Sequence, residues 1–243
     1  MAINPKYLVL DNPSRYFIVT GGRGSGKSYS INMLLCMLMQ EEGHVILFTR
    51  YTLRAASISI IPEFVEKIEI LGWQDIFSIT KDEIIHKRTG SKILFRGIKT
   101  SSGNQVANLK SLQGVTTWVL DEAEELVDEN IFDTIDLSVR QKGKHNRVIM
   151  IMNPATKEHF IYKRFYESVG VEAGSNTMKG NATYVHTTYL DNEENLADSF
   201  LQQIQNLKAN NPKKYEQKIL GNWLDKAEGV VFTNWKFGSF NPD

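Results

Sequence analysis

Ten consecutive residues, Val19-Thr20-Gly21-Gly22-Arg23-Gly24-Ser25-Gly26-Lys27-Ser28, contain the spacing G-x-x-x-x-G-K-[ST]. Each residue type in that pattern answers a need of phosphate chemistry. Glycines let successive backbone N–H groups turn inward around an anion, and a helix that starts at the loop points its positive end at the same place. A lysine there reaches the β and γ phosphates of a nucleotide, and a serine hydroxyl ligates Mg²⁺. Gly21, Gly22, Arg23, Gly24, Ser25, Gly26, Lys27, Ser28 and Tyr29 are the residues expected on the nucleotide, with Ser28 also on the metal. Arg23 fills a position that tolerates any residue. Held beside the phosphates, its guanidinium can pair with γ-phosphate oxygens and lose that partner on hydrolysis; the plainer reading is a solvated charge at the loop tip.

Two further positions supply the rest of a phosphoryl-transfer site. Asp121-Glu122 directly follows the apolar run Thr117-Trp118-Val119-Leu120, and strands of open α/β sheets end at the ligand crevice. Asp121 can hold the magnesium through water while Glu122 polarises the attacking water as general base. Glu124 and Glu125 read as acids that complement a helix dipole. Asn153 ends the run RVIMIM, where a polar group can touch the γ-phosphate or the water; a turn-forming Asn before Pro154 is the alternative. No guanine-selecting N-K-x-D stretch occurs, and a carboxylate stands where many small GTPases use a glutamine, so ATP is the expected nucleotide.

The elements that must position these residues are legible in the periodicity. Residues 16–20 (YFIVT) form a short β-branched and aromatic run that ends in glycines, as a buried parallel strand does. Ile31, Leu34, Leu35, Leu38 and Met39 recur at helical spacing, and Gly43 punctuates the end. Residues 44–49 predict a second buried strand, followed by a helix through residues 61–68 with Pro62 in its first turn or at a kink. Residues 77–80, 83–86 and 92–96 look antiparallel and are joined by the turn Arg88-Thr89-Gly90-Ser91, a hairpin set into an otherwise alternating chain. Residues 117–120, 147–152 and 184–188 predict three more strands. Residues 122–139, 157–169 and 196–218 carry helical spacing, and residues 170–180 read as a surface loop.

Bulk composition is permissive. The 243 residues suit one large α/β domain with a short tail, and 42% hydrophobic with 23% charged residues is ordinary globular usage. The most apolar stretch, residues 31–39, is too short to span a bilayer and lies too far in for a secretory signal, so no membrane partner and a cytoplasmic location are expected. A lone cysteine, Cys36, excludes an internal disulfide and reads as a buried thiol. Basic and acidic residues balance at 28 each, so any nucleic-acid contact must be a local patch. The densest one holds Lys81, Lys87, Arg88, Lys92, Arg96 and Lys99; a solvated hairpin face and a surface for duplex DNA are both open readings.

Taken together, GGRGSGKS, WVLDEAEEL and VIMIMNP, in this order, resemble the N-terminal ATPase domain of the large terminase subunit of tailed bacteriophages, which packages DNA into a procapsid. A late stretch, Asn211-Pro212-Lys213-Lys214-Tyr215 through Leu220-Gly221-Asn222-Trp223 to Gly229-Val230-Val231-Phe232, is similar to that family's closing segment and is more specific than the nucleotide motifs, which helicases share. The resemblance implies a P-loop NTPase of the additional-strand (ASCE) type: a mostly parallel sheet flanked by helices, with the antiparallel hairpin inserted. It implies a P-loop ATPase domain over residues 1–210 and a closing segment over residues 211–243 that would lead to a nuclease domain, which is not expected within this chain. Implied roles are the phosphate lysine for Lys27, the magnesium hydroxyl for Ser28, metal and catalytic carboxylates for Asp121 and Glu122, the coupling residue for Asn153, and a γ-phosphate arginine for Arg23. Many relatives supply an arginine to the neighbouring subunit about ten residues before the acidic pair; here Lys110 stands there, without a bidentate fork, and Arg140 competes for that role with a plain surface charge. Implied partners are double-stranded DNA, the portal protein, the small terminase subunit and copies of the chain in a ring, a pentamer when assembled on the portal. Implied localisation is the infected bacterium's cytoplasm, on the procapsid. A helicase-like ATPase and a non-hydrolysing nucleotide-binding scaffold are the alternatives.

Overall fold

The computed structural model describes residues 3–52, 56–100, 103–104, 109 and 113–225. Its chain alternates strand and helix: β1 (Tyr16–Gly21), α1 (Lys27–Leu38), β2 (Val45–Thr52), α2 (Ala56–Ser59), α3 (Ile61–Ile70), β3 (Phe77–Ile79), β4 (Glu83–His86), β5 (Lys92–Thr100), β6 (Gly103–Asn104) and β7 (Thr117–Asp121) come first. There follow α4 (Glu129–Asp136), β8 (Arg147–Met152), α5 (Phe160–Tyr162), which runs on as a π-helical turn (Lys163–Glu167), β9 (Thr177–Lys179), β10 (Ala182–Thr187), α6 (Asp198–Asn210) and α7 (Pro212–Lys218).

One sheet runs through the molecule in the order β3-β4-β5-β2-β7-β8-β1-β10-β9, with the short β6 paired to β5. Its six central strands, β5 to β10 in that order, are all parallel. Among the described residues, antiparallel pairs occur only toward the two edges. β8 lies between β1 and β7, so one extra strand separates the phosphate-loop strand from the strand that carries the acidic pair. This is the additional-strand arrangement expected from the resemblance. The hairpin is present, yet it is not a separate insertion: β5 pairs with β2 along seven residues and carries β4 and β3 as the sheet's outer edge.

The central strands read as continuous apolar runs because both faces are covered. Phe17, Val19, Phe48, Val119, Ile149 and Ile151 pack beneath α1 and α3 with Ile31, Leu35 and Phe64. Their neighbours Ile18, Leu47, Trp118, Leu120, Val148 and Met150 face the other way, against Phe132, Phe160 and Phe165. That strict alternation fixes the register, since a slip of one residue would exchange the two faces.

Three expectations need correction. Residues 122–139 do not form one helix: a 3-10 turn at Ala123–Glu125 ends at Leu126 in extended conformation, and α4 starts afresh behind Asp128, whose side chain accepts the Asn130 N–H. The helical spacing over residues 196–218 is cut at Pro212, which pushes Asn211 out of helical geometry. Residues 170–180 contain β9, which pairs antiparallel with β10. The break at residue 211 does not separate two bodies among the described residues, because Tyr215 and Ile219 share a core with Tyr189 and Ile204.

The basic run of the hairpin is dispersed by the same register. Lys92 stands level with Val45, where the parallel strands begin, and Lys99 with Thr52, where they end. Lys87 is turned to the Asp75 carbonyl and Arg96 to that of Phe95.

Candidate active site

Three strands deliver their carboxyl ends side by side. Thr20 of β1 is level with Met152 of β8, and Ile151 of β8 with Asp121 of β7. The next residues along the chain are Gly21, Asn153 and Glu122, so the phosphate loop, the polar strand end and the acidic pair meet at one edge of the sheet. That is where ligands bind in open α/β folds.

The loop makes its turn through left-handed backbone at Gly24 (φ 80°) and Gly26 (φ 78°), and Gly26 is the N-cap of α1. Residues 22–29 line an open hollow of about 440 Å³. Lys27 is folded back: its Nζ donates to the Gly21 and Gly22 carbonyls, both at 2.8 Å, and to Ser25 Oγ at 3.2 Å. Burial lowers its pKa to about 8, against the pull of the Glu124 and Asp121 charges. Arg23 exposes its side chain while its N–H donates to the Lys218 carbonyl at 2.7 Å. Tyr29 is half-buried, with Lys67 Nζ 4.6 Å from its ring centroid.

Asp121 is buried, and Arg50 at the end of β2 holds its Oδ2 through Nε at 2.8 Å and Nη2 at 2.7 Å. Glu122 follows with φ 55°, the one positive-φ residue other than glycine among the described residues. Such backbone costs on the order of 1 kcal/mol and clusters at functional sites. The turn lifts the Glu122 carboxylate into half-exposed space, 3.8 Å from Arg50 Nε. Desolvation raises its pKa, Arg50 opposes that shift, and the Asp121 charge adds to it.

Asn153 sits between these groups. With its amide oriented so that the nitrogen faces the surrounding carbonyls, it donates to Gly21 O at 3.2 Å and to Gln217 O at 3.3 Å. Burial pushes the Glu124 carboxyl up to about 7, against the opposing pull of nearby backbone N–H groups and the Lys27 charge.

Sequence reasoning placed the loop, Asp121, Glu122 and Asn153 together, and the fold brings them together. Lys110 and its neighbour Ser111 lie outside the described residues. Arg140 is exposed at the far edge: it follows Val139, whose carbonyl accepts from Arg15 immediately before β1, a full strand length from Gly21. It is not brought to this chain's own site.

Two participants were missed. Arg50 had a signal, a lone cation closing the apolar run ILFT. Glu124 and Glu125 read alike from the sequence as dipole acids, but only Glu125 is exposed; a 3-10 turn sends the two in different directions. A third contact had no signal beyond its motif: Gly221 packs its backbone on the loop, where an added Cβ would lie 2.4 Å from the Gly21 carbonyl carbon.

The donor set fits a hard cation. Ser28 offers a hydroxyl and Asp121 a carboxylate, while the described residues contain no cluster of three or more His, Cys, Asp or Glu that could cage an ion alone. An ion there would complete its shell from phosphate and water, as Mg²⁺ does. No helix of the described residues is long and apolar enough to cross a membrane.

Comparison with known proteins agrees with this fold. The large terminase of a thermophilic bacteriophage has the same fold, with a TM-score of 0.71 at 16% identity over 92% of this chain and 54% of that one. The ATPase domain of the Thermus phage P74-26 large terminase matches with a TM-score of 0.60 at 16% identity, covering 92% of this chain and 94% of that domain. In sequence, the terminase large subunit of Bacillus phage SPP1 is 26% identical over 227 residues, 88% of this chain and 50% of that protein. The chain spans about half the length of the curated relatives it matches. A family model for the phage terminase large subunit matches residues 13–222, and the chain therefore belongs to the phage terminase large subunit family.

Proposed function

We propose that this chain is the ATP-hydrolysing motor domain of a terminase large subunit, converting ATP to ADP and phosphate to drive double-stranded DNA into a procapsid. The observation that carries the reading is the adjacency of the Gly21 loop, Asp121-Glu122 and Asn153 at the ends of three neighbouring parallel strands. The large terminase of the thermophilic bacteriophage, which shares the fold, is described in complex with ADP and with ATP-γ-S.

In this reading Lys27 leaves the Gly21 and Gly22 carbonyls for the β and γ phosphates, and the α1 N-terminus and the loop's N–H groups hold the rest. Ser28 and Asp121 would hold Mg²⁺, which when bound would neutralise charge on the phosphates. Glu122, lifted clear by its left-handed turn, orients the attacking water and takes its proton. Arg23 reaches the γ-phosphate from the loop tip. Asn153, bonded to both Gly21 and Gln217, passes the change at the loop to α7 and the residues after it. The same reading has the chain assemble with portal protein, small subunit and further copies in a ring, on the procapsid in the bacterial cytoplasm; membership of the family supports it.

Phosphate release and binding of a fluorescent ADP test it together. Lys27→Ala is expected to lose both, and Glu122→Gln to bind but fall at least about a hundredfold in turnover. Equal turnover in wild type and Glu122→Gln, with portal and DNA present, would show that the chain binds nucleotide without being a motor.

A further inference from the structure

The carboxylate expected to hold the metal already has a cation on it. Thr49 of β2 is level with Leu120 of β7, so the next residues along the two strands, Arg50 and Asp121, leave the sheet side by side. Arg50 directs both Nε, at 2.8 Å, and Nη2, at 2.7 Å, to a single oxygen of Asp121, Oδ2, and Asp121 is buried. A second acid stands within reach of the same guanidinium: Glu122 Oε2 lies 3.8 Å from Arg50 Nε, in half-exposed space. One cation therefore holds a buried carboxylate and has an open one beside it.

We propose that Arg50 is a positioning residue that withholds Asp121 from free divalent cations and yields it, turning to Glu122, to a cation carried in on nucleotide phosphates. The inference rests on the ATPase reading above. While the guanidinium sits on Oδ2, the charge of Asp121 is answered, and a divalent ion approaching that oxygen meets a like charge. Among the described residues no cluster of three or more His, Cys, Asp or Glu is present to offset that repulsion, and Mg²⁺ gives up its water reluctantly. Phosphate oxygens supply the missing negative charge. Arg50 can then release Oδ2 without being stranded, which is the costly outcome for a largely buried ion, because Glu122 is next to it. Arg50 acts through the two carboxylates and touches no reacting atom. Metal and nucleotide are thereby coupled, each strengthening the binding of the other.

The test reads metal binding without any turnover. Mn²⁺, which takes the same oxygen donors as Mg²⁺, is titrated into the 243-residue chain by calorimetry in the absence of nucleotide. Arg50→Gln is expected to bind Mn²⁺ at least about tenfold more tightly than wild type. Mn²⁺ alone should accordingly raise the melting temperature of Arg50→Gln and leave that of wild type in place. Adding Asp121→Asn to Arg50→Gln should abolish the gain, which assigns it to that carboxylate. Arg50→Met, which keeps an apolar stem, takes the place of Arg50→Gln if the latter does not melt cooperatively. Equal Mn²⁺ affinity in wild type and a folded Arg50 variant would overturn the proposal, as would a gain that survives Asp121→Asn. Phosphate release by wild type is measured in parallel. If wild type released none, the ATPase reading would fail, whereas the metal titration fails or succeeds with no ATP present, so the two failures are told apart.

Discussion

Arg50 aims two nitrogens, Nε at 2.8 Å and Nη2 at 2.7 Å, at the same oxygen of Asp121. The pair is largely out of water, with side-chain exposures of 18% and 5%. Breaking a buried pair from one side leaves the other charge uncompensated, which is the costly case. Arg50→Ala is therefore expected to lower the unfolding free energy of the metal-free chain by about 3 kcal/mol. Magnesium with ADP, which brings a new cation to Asp121, should restore part of that. Urea unfolding with and without magnesium and ADP checks both statements, and an unchanged midpoint in the metal-free protein would contradict the first.

Gly221 is held at φ 74°, and a Cβ there would lie 2.4 Å from the Gly21 carbonyl carbon and 2.6 Å from the Gly22 nitrogen. These are backbone atoms and have no rotamer to yield. Gly221→Ala is expected to cost at least about 2 kcal/mol and to weaken ADP binding, because the strain is relieved by moving the phosphate loop. Asn222→Ala, at the exposed position next to it, should change neither quantity. A Gly221→Ala protein with wild-type ADP affinity would show that the loop does not depend on this contact.

The enclosed Glu124 gives stability a definite pH dependence. Its carboxyl titrates near 7 in the fold against an ordinary value of 4.5, so the folded state holds a proton that the unfolded chain has lost. Stability from this group is present at pH 4.5 and is surrendered as the pH rises through 7. Lys27 acts in a separate window. Its folded value near 8 lies below 10.5, so its penalty is constant below pH 8 and fades only above it. Glu124→Gln should therefore melt above wild type at about pH 8 and level with it at about pH 4.5. Melting curves of the nucleotide-free proteins at the two pH values decide it, and a constant offset would be the wrong result.

Trp223 is buried against Tyr162 and Tyr166, with ring centroids 5.2 and 5.8 Å away. Trp223→Ala is expected to cost about 3 kcal/mol and to release the closing segment from the far face of the sheet. Limited proteolysis should then cut between residue 218 and residue 225, where wild type resists. Identical digestion patterns would count against this anchoring role.

Much of the site was legible because its parts are local. The phosphate loop is a contiguous spelling, Asp121-Glu122 and Asn153 each end an apolar run, and the alternation of runs implied parallel strands whose ends must share an edge. Helix lengths were less legible. Leu126 and Pro212 interrupt spacings that otherwise suit a helix, since periodicity records which face is buried and not whether the backbone continues.

What the sequence determined by itself was the chemistry and the fold class: glycines that permit left-handed turns, a lysine and a serine at fixed offsets, and carboxylates placed where buried strands run out. Tertiary structure alone decided the partners of those groups. Arg50 and Asp121 are 71 residues apart, and the Gly221 backbone reaches Gly21 from the other end of the described chain. Glu124 and Glu125 are the same residue type side by side, yet one is enclosed and the other is exposed. Such contacts are set by how a twisted sheet and its turns close in space, and spacing along a chain carries no record of that closure.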